Sequence, residues 1–339
     1  GTDSVTFTID NSTPTVTLTD TDANNIVSNS NVVTLTATFS ESMAATPTIS
    51  FTGIDSNVLM TATSSASQWI YTWTVSVVSS ITSTTAIVSG TDLNGNYYVG
   101  TESITFRIDN SAPIVSLTDT DSDNIVSNQD EVTITATFSE SMAATPTLSL
   151  TGIVSDTQMM ATTSDTVWTY AWTVSGSTVT STTATVSGTD LAGNAYSGTD
   201  SITFTIDNTA PTVTLTDTDS DNIVSNSDVV TITATFSESM AATPTLSLSG
   251  ITSNTLMSAT GSDTIWTYSW TVSTTFTSTT ATVSGTDLAG NAYSGSDNIL
   301  LTIDNSPPEI KMTSPTGYVY LGYYDEHLYF INCGTSYGP

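Results

Sequence analysis

The chain of 339 residues carries 32 Asp and Glu residues against two Lys and Arg residues, so its formal net charge at pH 7 is −30. Nucleic acids and anionic membrane surfaces are bound by basic side chains that displace counterions, so this composition excludes both as partners and favours cations. The sequence has one cysteine and no apolar run long enough for a membrane helix. We therefore expect neither an internal disulfide nor direct membrane insertion.

The tripeptide Ile-Asp-Asn divides the sequence into repeats. It occurs at 9–11, 108–110, 206–208 and 303–305, and a proline follows each copy. Such regular self-similarity is typical of a linear array of domains. The predicted segments are the last strand of a preceding repeat (1–11), repeat 1 (12–110), repeat 2 (111–208), repeat 3 (209–305) and the start of a different, Tyr-rich, immunoglobulin-like domain (306–339).

Each repeat has the pattern of successive β-strands. In repeat 3, apolar residues alternate with Thr over 229–237, as in a half-buried strand. Seven strands are predicted there, at 212–216, 229–237, 245–250, 256–260, 264–272, 278–287 and 298–304. Seven strands in about 100 residues is the size of an immunoglobulin-like sandwich. The predicted fold is all-β, with tandem immunoglobulin-like β-sandwich domains in a linear rod.

Asp residues, with one Asn in repeat 1, recur at alternate positions in the loop after the first strand of each repeat. The residues are Asp20, Asp22 and Asn24, then Asp119, Asp121 and Asp123, then Asp217, Asp219 and Asp221. Several carboxylates in one loop suit Ca²⁺, which takes six to eight oxygen ligands. An EF-hand is not expected, because its glycine and its flanking helices are missing. The alternative is a solvated turn, since Asp and Asn are common in turns.

The expected strand topology brings further acidic residues to each junction. The loop after the first strand should lie beside the outgoing linker, and two loops of the next repeat should meet it. The first junction is then expected to gather Asp20, Asp22, Asn24, Asp109, Asn110, Glu140, Asp190 and Asn194. The second is expected to gather Asp119, Asp121, Asp123, Asp207, Asn208, Glu238, Asp287 and Asn291. Asp217, Asp219, Asp221 and Asp304 hold the matching positions in repeat 3.

So many carboxylates at one seam repel each other, and Ca²⁺ there would neutralise them and fix the angle between neighbours. Calcium is therefore the predicted cofactor. The segment DLAGN (190–194 and 287–291) has a second interpretation as an Asx or Gly turn that closes a hairpin. In the tail, His327 and Cys333 suggest a metal pair or a catalytic dyad, but neither is repeated and no such site is predicted.

The repeats resemble bacterial immunoglobulin-like domains of large surface adhesins, biofilm proteins and S-layer-type proteins. The resemblance covers about residues 12–305 and lies in APTVTL (210–215), TFSESM (235–240), VSGTDLAGN (283–291) and TIDN (302–305). It implies calcium-stiffened stalks that carry a binding module away from the cell. IDNSAP (108–113) is also similar to the calcium-binding linker of cadherins.

These features predict a non-enzymatic structural stalk at the cell surface or outside the cell. Its partners would be neighbouring repeats of the same or an identical chain, with cell-surface or glycan ligands elsewhere in the molecule. No Ser-His-Asp set, phosphate loop or nucleophilic lysine indicates an enzyme. Two alternatives remain: a filament subunit that donates strand 2–10 to a neighbour, and a glycan-binding module.

Overall fold

The computed structural model describes residues 2–78, 80–175 and 180–308, together with the backbone of residues 318–324 and 327–332. Cys333 therefore lies outside the described residues, and nothing is described of the His327 side chain. None of the described residues lies in a helix, so no helix there is long and apolar enough to cross a membrane.

The chain divides by its internal contacts into two compact units. The first comprises Gly1–Ala210 and Thr286–Asn291. The second comprises Pro211–Gly285 and Ala292–Pro339. The first unit contains two β-sandwiches and the second contains one, and the two sheets of each sandwich share one apolar core.

Nine strands between residues 12 and 110 form the first sandwich. They are β1 (Val16–Asp20), β2 (Ile26–Val27), β3 (Val32–Phe39), β4 (Thr48–Phe51), β5 (Asp55–Leu59), β6 (Thr61–Ala62), β7 (Gln68–Thr74), β8 (Ser83–Ser89) and β9 (Ser103–Ile108). One sheet has the order β1-β3-β7-β6 and the other β2-β9-β8-β4-β5. Neighbouring strands are antiparallel, except that β2 runs parallel to β9.

The second sandwich repeats this arrangement between residues 111 and 208. Its strands are β10 (Val115–Asp119), β11 (Ile125–Val126), β12 (Glu131–Phe138), β13 (Thr147–Leu150), β14 (Val154–Gln158), β15 (Met160–Ala161), β16 (Val167–Thr173), β17 (Ser181–Ser187) and β18 (Ile202–Ile206). The two sheets have the orders β10-β12-β16-β15 and β11-β18-β17-β13-β14.

The third sandwich has the same order of strands. They are β19 (Val213–Asp217), β20 (Ile223–Val224), β21 (Val229–Phe236), β22 (Thr245–Leu248), β23 (Thr252–Leu256), β24 (Ser258–Ser262), β25 (Ile265–Thr271), β26 (Ser278–Ser284) and β27 (Ile299–Ile303). Its sheets are β19-β21-β25-β24 and β20-β27-β26-β22-β23. After it, β28 (Tyr318–Tyr324) and β29 (His327–Asn332) form an antiparallel hairpin.

Strict alternation of side chains explains why these segments form sandwiches. In β21, Val230, Ile232, Ala234 and Phe236 are all buried, while the residues between them face outward. Successive side chains of a strand point to opposite faces, so one face of each sheet is apolar and packs against the other sheet. The all-β, immunoglobulin-like fold predicted from the alternation is confirmed.

The prediction of seven strands per repeat is wrong, because the structure has nine. One of the two additional strands is the two-residue strand β2, β11 or β20, which was missed because two residues show no periodicity. The predicted strand 256–260 is in fact a crossing point: Leu256 ends β23 in one sheet, Ser258 begins β24 in the other, and Met257 between them is 4% exposed. Met60 and Met159 occupy the same buried position in repeats 1 and 2.

The segment 2–10 has the sequence of a last strand but forms no strand in this structure. Phe7 and Ile9 are each 82% exposed, whereas the matching Phe204 and Ile206 of β18 lie in the core at 0% and 5%. The difference is one of surroundings, since β18 has β17 and β11 on its two sides.

Leu246 and Leu256 provide a matched test of this packing. Leu246 in β22 is fully buried and Leu256 in the paired strand β23 is 65% exposed. We expect Leu246→Ala to lower the free energy of unfolding by about 2–5 kcal/mol, because it leaves a cavity in the core. Leu256→Ala should change it by no more than about 0.5 kcal/mol. Calorimetry of the full chain measures both, and equal losses would contradict the assigned core.

Candidate metal centre

The linker residue Asp109 follows β9, and its backbone N–H is hydrogen-bonded to repeat 1. Its N–H donates to the Val27 carbonyl at 2.9 Å, and Asn110 next to it accepts through Oδ1 from Asn29 N at 2.6 Å. Asn208 and Asn305 accept in the same way from Asn128 (2.6 Å) and Asn226 (2.7 Å). In these three copies of Ile-Asp-Asn, the Asn therefore fastens the linker to the repeat that it leaves.

The hairpin loop 190–194 places a buried carboxylate beside this linker. Asp190 is 1% exposed and accepts through Oδ1 from Ala192 N (2.9 Å) and Asn194 N (2.8 Å). Asn194 Nδ2 donates both to Asp190 Oδ2 (2.8 Å) and to the Asp109 carbonyl (2.9 Å). Gly193 supports this tight turn with a φ of +86°. The turn interpretation of DLAGN thus describes the loop, and the same loop carries a candidate ligand.

A third carboxylate completes what we call the second cluster: Asp109, Glu140 and Asp190. Glu140 lies two residues beyond the end of β12. One oxygen from each of the three side chains lies within 4.8 Å of the others. Burial raises the pKa of Glu140, and the charges of Asp109 and Asp190 raise it further, while Arg107 lowers it.

The first cluster has the same design and consists of Asp10, Glu41 and Asp92, again within 4.8 Å of one another. Asn96 Nδ2 donates to Asp92 Oδ2 (2.8 Å) and to the Asp10 carbonyl (3.2 Å). Burial raises the pKa of Glu41, and the charges of Asp92 and Asp10 raise it further. Burial also opposes ionisation of Asp92, but hydrogen bonds from Asn96, Asn94 and Gly95 outweigh it and hold the pKa of Asp92 below its usual value.

The sequence-based prediction named no ligands at the first cluster. The repeat pattern could have indicated them, because Asp10, Glu41 and Asp92 hold the same repeat positions as Asp109, Glu140 and Asp190. In the third repeat, Asn291 Nδ2 donates to Asp287 Oδ2 (3.0 Å) and to the Asp207 carbonyl (2.9 Å), all within the first unit. Glu238 belongs to the second unit, where it follows β21 at the position matching Glu140.

The aspartates of the loops after β1, β10 and β19 are turned towards their own backbone. Asp20, Asp119 and Asp217 accept from the N–H two residues ahead, at 2.7–2.9 Å. Asp22 accepts from Asn24 N and Asn25 N, and Asp121 accepts from Asp123 N and Asn124 N. Asp219 accepts from Asp221 N and Ile223 N. Asp123 and Asp221 accept from Ile125 N and Ile223 N, both at 3.1 Å. Such Asx turns are the alternative that the sequence left open.

These loop residues do not enter the groups of three described above. Asp304 likewise accepts from Ser306 N at 2.8 Å. The pKa of Asp119 lies above its usual value, because burial and the charge of Asp121 outweigh the hydrogen bond from Asp121 N. The ligand role predicted for all of them stays a prediction.

Two hydrogen bonds join repeat 1 to the hairpin loop of repeat 2; the sequence placed Asn24 at this junction but did not suggest Ser28, which follows β2. Asn24 Nδ2 donates to the Leu191 carbonyl at 3.1 Å, and the buried Ser28 Oγ donates to the Ala192 carbonyl at 2.9 Å. Ser is so frequent in this sequence that no pattern marks Ser28. The contacts place the loop after β1 against the loop that carries Asp190.

The second cluster fits a calcium ion. Calcium–oxygen distances are about 2.4 Å, so two ligands of one ion are separated by no more than about 4.8 Å. The donors are all carboxylate oxygens, which suit a hard cation. A cavity of about 180 Å³ opens beside them, lined by Ile26, Arg107, Asp109, Glu140, Ser141, Thr166, Leu191 and Ala192. It has room for an ion and several waters, at about 30 Å³ for each water.

No protein-family model and no curated protein matches the chain. Among solved structures it is similar to a 1.5-MDa bacterial ice-binding adhesin, with 21% identity, coverage of 87% of this chain and 99% of that one, and a TM-score of 0.46. It is also similar to a Ca²⁺-stabilised ice-binding adhesin of an Antarctic bacterium (24%, 86% and 74%, TM-score 0.44). A third neighbour is titin I67–I69, a fragment of three immunoglobulin domains (10%, 86% and 97%, TM-score 0.39).

Glu140→Gln tests the repulsion within the second cluster. The folded state holds the Glu140 proton more tightly than the unfolded state, so this group stabilises the fold below its ordinary pKa of 4.5 and loses that contribution as pH rises through the raised value. In chelator at neutral pH, Glu140→Gln should therefore raise the melting temperature by roughly 1–3 °C.

The matched control is Glu102→Gln, which replaces an exposed Glu outside both clusters and should leave the melting temperature unchanged. Calorimetry in chelator at several pH values measures both variants. A lower melting temperature for Glu140→Gln would contradict the repulsion.

Proposed function

We propose that this chain is a non-enzymatic segment of an extracellular or cell-surface stalk, in which Ca²⁺ fixes the junctions between repeats. The observation that carries the proposal is the second cluster. Asp109 comes from the linker that leaves repeat 1, whereas Glu140 and Asp190 come from two loops of repeat 2. One ion bound to all three would hold the linker and the next repeat in a single geometry.

Electrostatics supports a divalent cation at this point. Three carboxylates within 4.8 Å of one another repel strongly, and burial and these charges raise the pKa of Glu140. The sequence has 32 acidic residues against two basic ones, so protein side chains cannot supply enough positive charge. Calcium accepts the irregular geometry of a site formed by three separate segments, whereas Mg²⁺ demands a near-ideal octahedron.

Location outside the cell fits both the site and the composition. Extracellular calcium modules bind at about 10⁻⁴–10⁻³ M, an affinity that three carboxylates and water can provide. A large negative net charge keeps long chains soluble and apart. The resemblance of the repeats to bacterial surface-adhesin domains supports a stalk as the role of the array.

A second candidate function rests on segment 2–10. Phe7 and Ile9 are exposed although their counterparts Phe204 and Ile206 are buried between neighbouring strands. A single strand leaves both its backbone and its apolar face unpaired. The segment would therefore add to the sandwich of another copy of the chain and link copies into a filament.

Removal of calcium tests the stalk. Calcium that binds only the folded state should stabilise it by about 2.7 kcal/mol per site at a concentration 100 times its dissociation constant. We expect chelator to lower the melting temperature and to make the chain flexible in small-angle X-ray scattering.

Asp109→Asn should remove the part of this response that belongs to the second cluster, because it takes one charge from that cluster and keeps an oxygen to accept from Ser111 N. Asp156→Asn is the control: Asp156 lies outside the clusters, and Asn57 and Asn254 stand at the same positive-φ position in the other repeats. A melting temperature that is the same with calcium and with chelator would overturn the calcium junction.

Deletion of residues 2–9 tests the filament. If the segment is donated between copies, the deletion should abolish polymers and leave the melting transitions of the three repeats in place. Light scattering coupled to size-exclusion chromatography measures the mass of each form. Equal masses with and without the segment would contradict donation between copies.

A further inference from the structure

Arg107 is unusual in this sequence both in its charge and in its position within the repeat. It is one of two basic residues in the chain, and it stands directly before Ile-Asp-Asn, where the other three copies have Thr8, Thr205 and Thr302. The three threonines show that the fold does not need an arginine at this position. Arg107 stands two residues before Asp109, the linker carboxylate of the second cluster.

The strand directs Arg107 to the second cluster. In β9, Phe106 and Ile108 are buried, so Arg107 and Asp109 lie on the opposite face, two residues apart. Arg107 Nη2 donates to Asp109 Oδ2 at 2.9 Å. The Asp109 side chain is only 12% exposed, so the ion pair is shielded from water on the side of the carboxylate.

The guanidinium also lies close to the rest of the cluster. Arg107, Asp109 and Glu140 together line a cavity of about 180 Å³ and another of about 630 Å³. Arg107 therefore stands beside two of the three candidate ligands, paired with Asp109 and facing the same cavities as Glu140.

The first cluster lacks such a charge. There Asp10 Oδ2 accepts from the neutral amide of Asn94 at 3.1 Å. In repeat 2 the position of Asn94 is taken by Ala192, which has no donor in its side chain, and the arginine takes over the carboxylate oxygen. Two clusters of the same three acids thus differ by one full positive charge next to the linker Asp.

We propose that Arg107 is a tethered counter-ion that weakens divalent-cation binding at the second cluster, so that the first cluster takes up calcium at lower concentration than the second. The proposal rests on the calcium junctions of the proposed function. It adds that Asp109 Oδ2 is already paired, and that a divalent ion at the second cluster is opposed by a neighbouring positive charge. The chain would then respond to calcium in steps, because its junctions differ in affinity.

The same residue should hold the second cluster together when calcium is scarce. In chelator the cluster carries three negative charges and one positive charge, whereas the first cluster carries three negative charges alone. Arg107 therefore stabilises the calcium-free form of this junction and destabilises the calcium-bound form, which lowers the calcium affinity of the second cluster.

Isothermal titration with Ca²⁺ alone, on the full chain, tests this difference. Arg107→Thr introduces the residue of the other three copies, and Arg107→Gln removes the charge but keeps a long polar side chain. Both should tighten one class of calcium sites by about tenfold, since a unit charge about 6 Å from a divalent ion in water costs about 1.4 kcal/mol. Arg107→Lys keeps the charge and should stay within about threefold of the unsubstituted chain.

Melting temperature provides a second readout with the opposite sign. In chelator, Arg107→Thr should melt below the unsubstituted chain, and this deficit should disappear or reverse as calcium saturates the sites. Identical isotherms for the unsubstituted chain and for both neutral variants would overturn the tethered counter-ion and leave the calcium junctions standing. Absence of calcium binding in every variant would overturn the proposed function itself.

Discussion

The attachment of Asp109 to three parts of the chain is the constraint on which the junction depends. Its N–H is bound to Val27 of repeat 1, its carbonyl accepts from Asn194 of repeat 2, and its carboxylate lies against Arg107, Glu140 and Asp190. The backbone contacts are neutral and work in any ionic conditions. The carboxylate contact is charged, so the surrounding ions decide whether it attracts or repels.

The linkers carry Asp followed by Asn because one residue supplies a charge and the other a neutral hydrogen bond. The Asn side chain accepts one hydrogen bond from the repeat behind it, and so it fixes the direction in which the chain leaves. The Asp carries the charge that faces forward. An Asn at the Asp position would keep the turn but lose the charge.

The sequence predicted the long strands, because their alternating apolar residues fit only one kind of secondary structure. Alternation of Val230, Ile232, Ala234 and Phe236 with Thr has no stable solution other than a half-buried strand, and the structure has that strand. The position of β20 could not be predicted, because two residues have no period, and Met257 could not be recognised as a crossing point because both neighbouring strands are half exposed. The ligands of the candidate site could not be predicted from residue type alone. Asp22 and Asp190 are chemically identical and both lie in turns. Only the surrounding backbone decides that Asp22 accepts hydrogen bonds within its own loop, whereas Asp190 also faces a linker.

The parallel pairing of β2 with β9 has a mechanical consequence. In repeat 1, Arg107 N donates to the Asn25 carbonyl and Asp109 N to the Val27 carbonyl, so a segment near the start of the repeat is bonded side by side to its last strand. When such a domain is pulled by its two ends, these strands are drawn past each other along their length, and the hydrogen bonds between them are loaded together. Antiparallel strands at the ends of a hairpin would instead open one bond at a time. The short strands β2, β11 and β20, each of which buries one valine in the core of its repeat, are thus the elements that resist extension of that repeat.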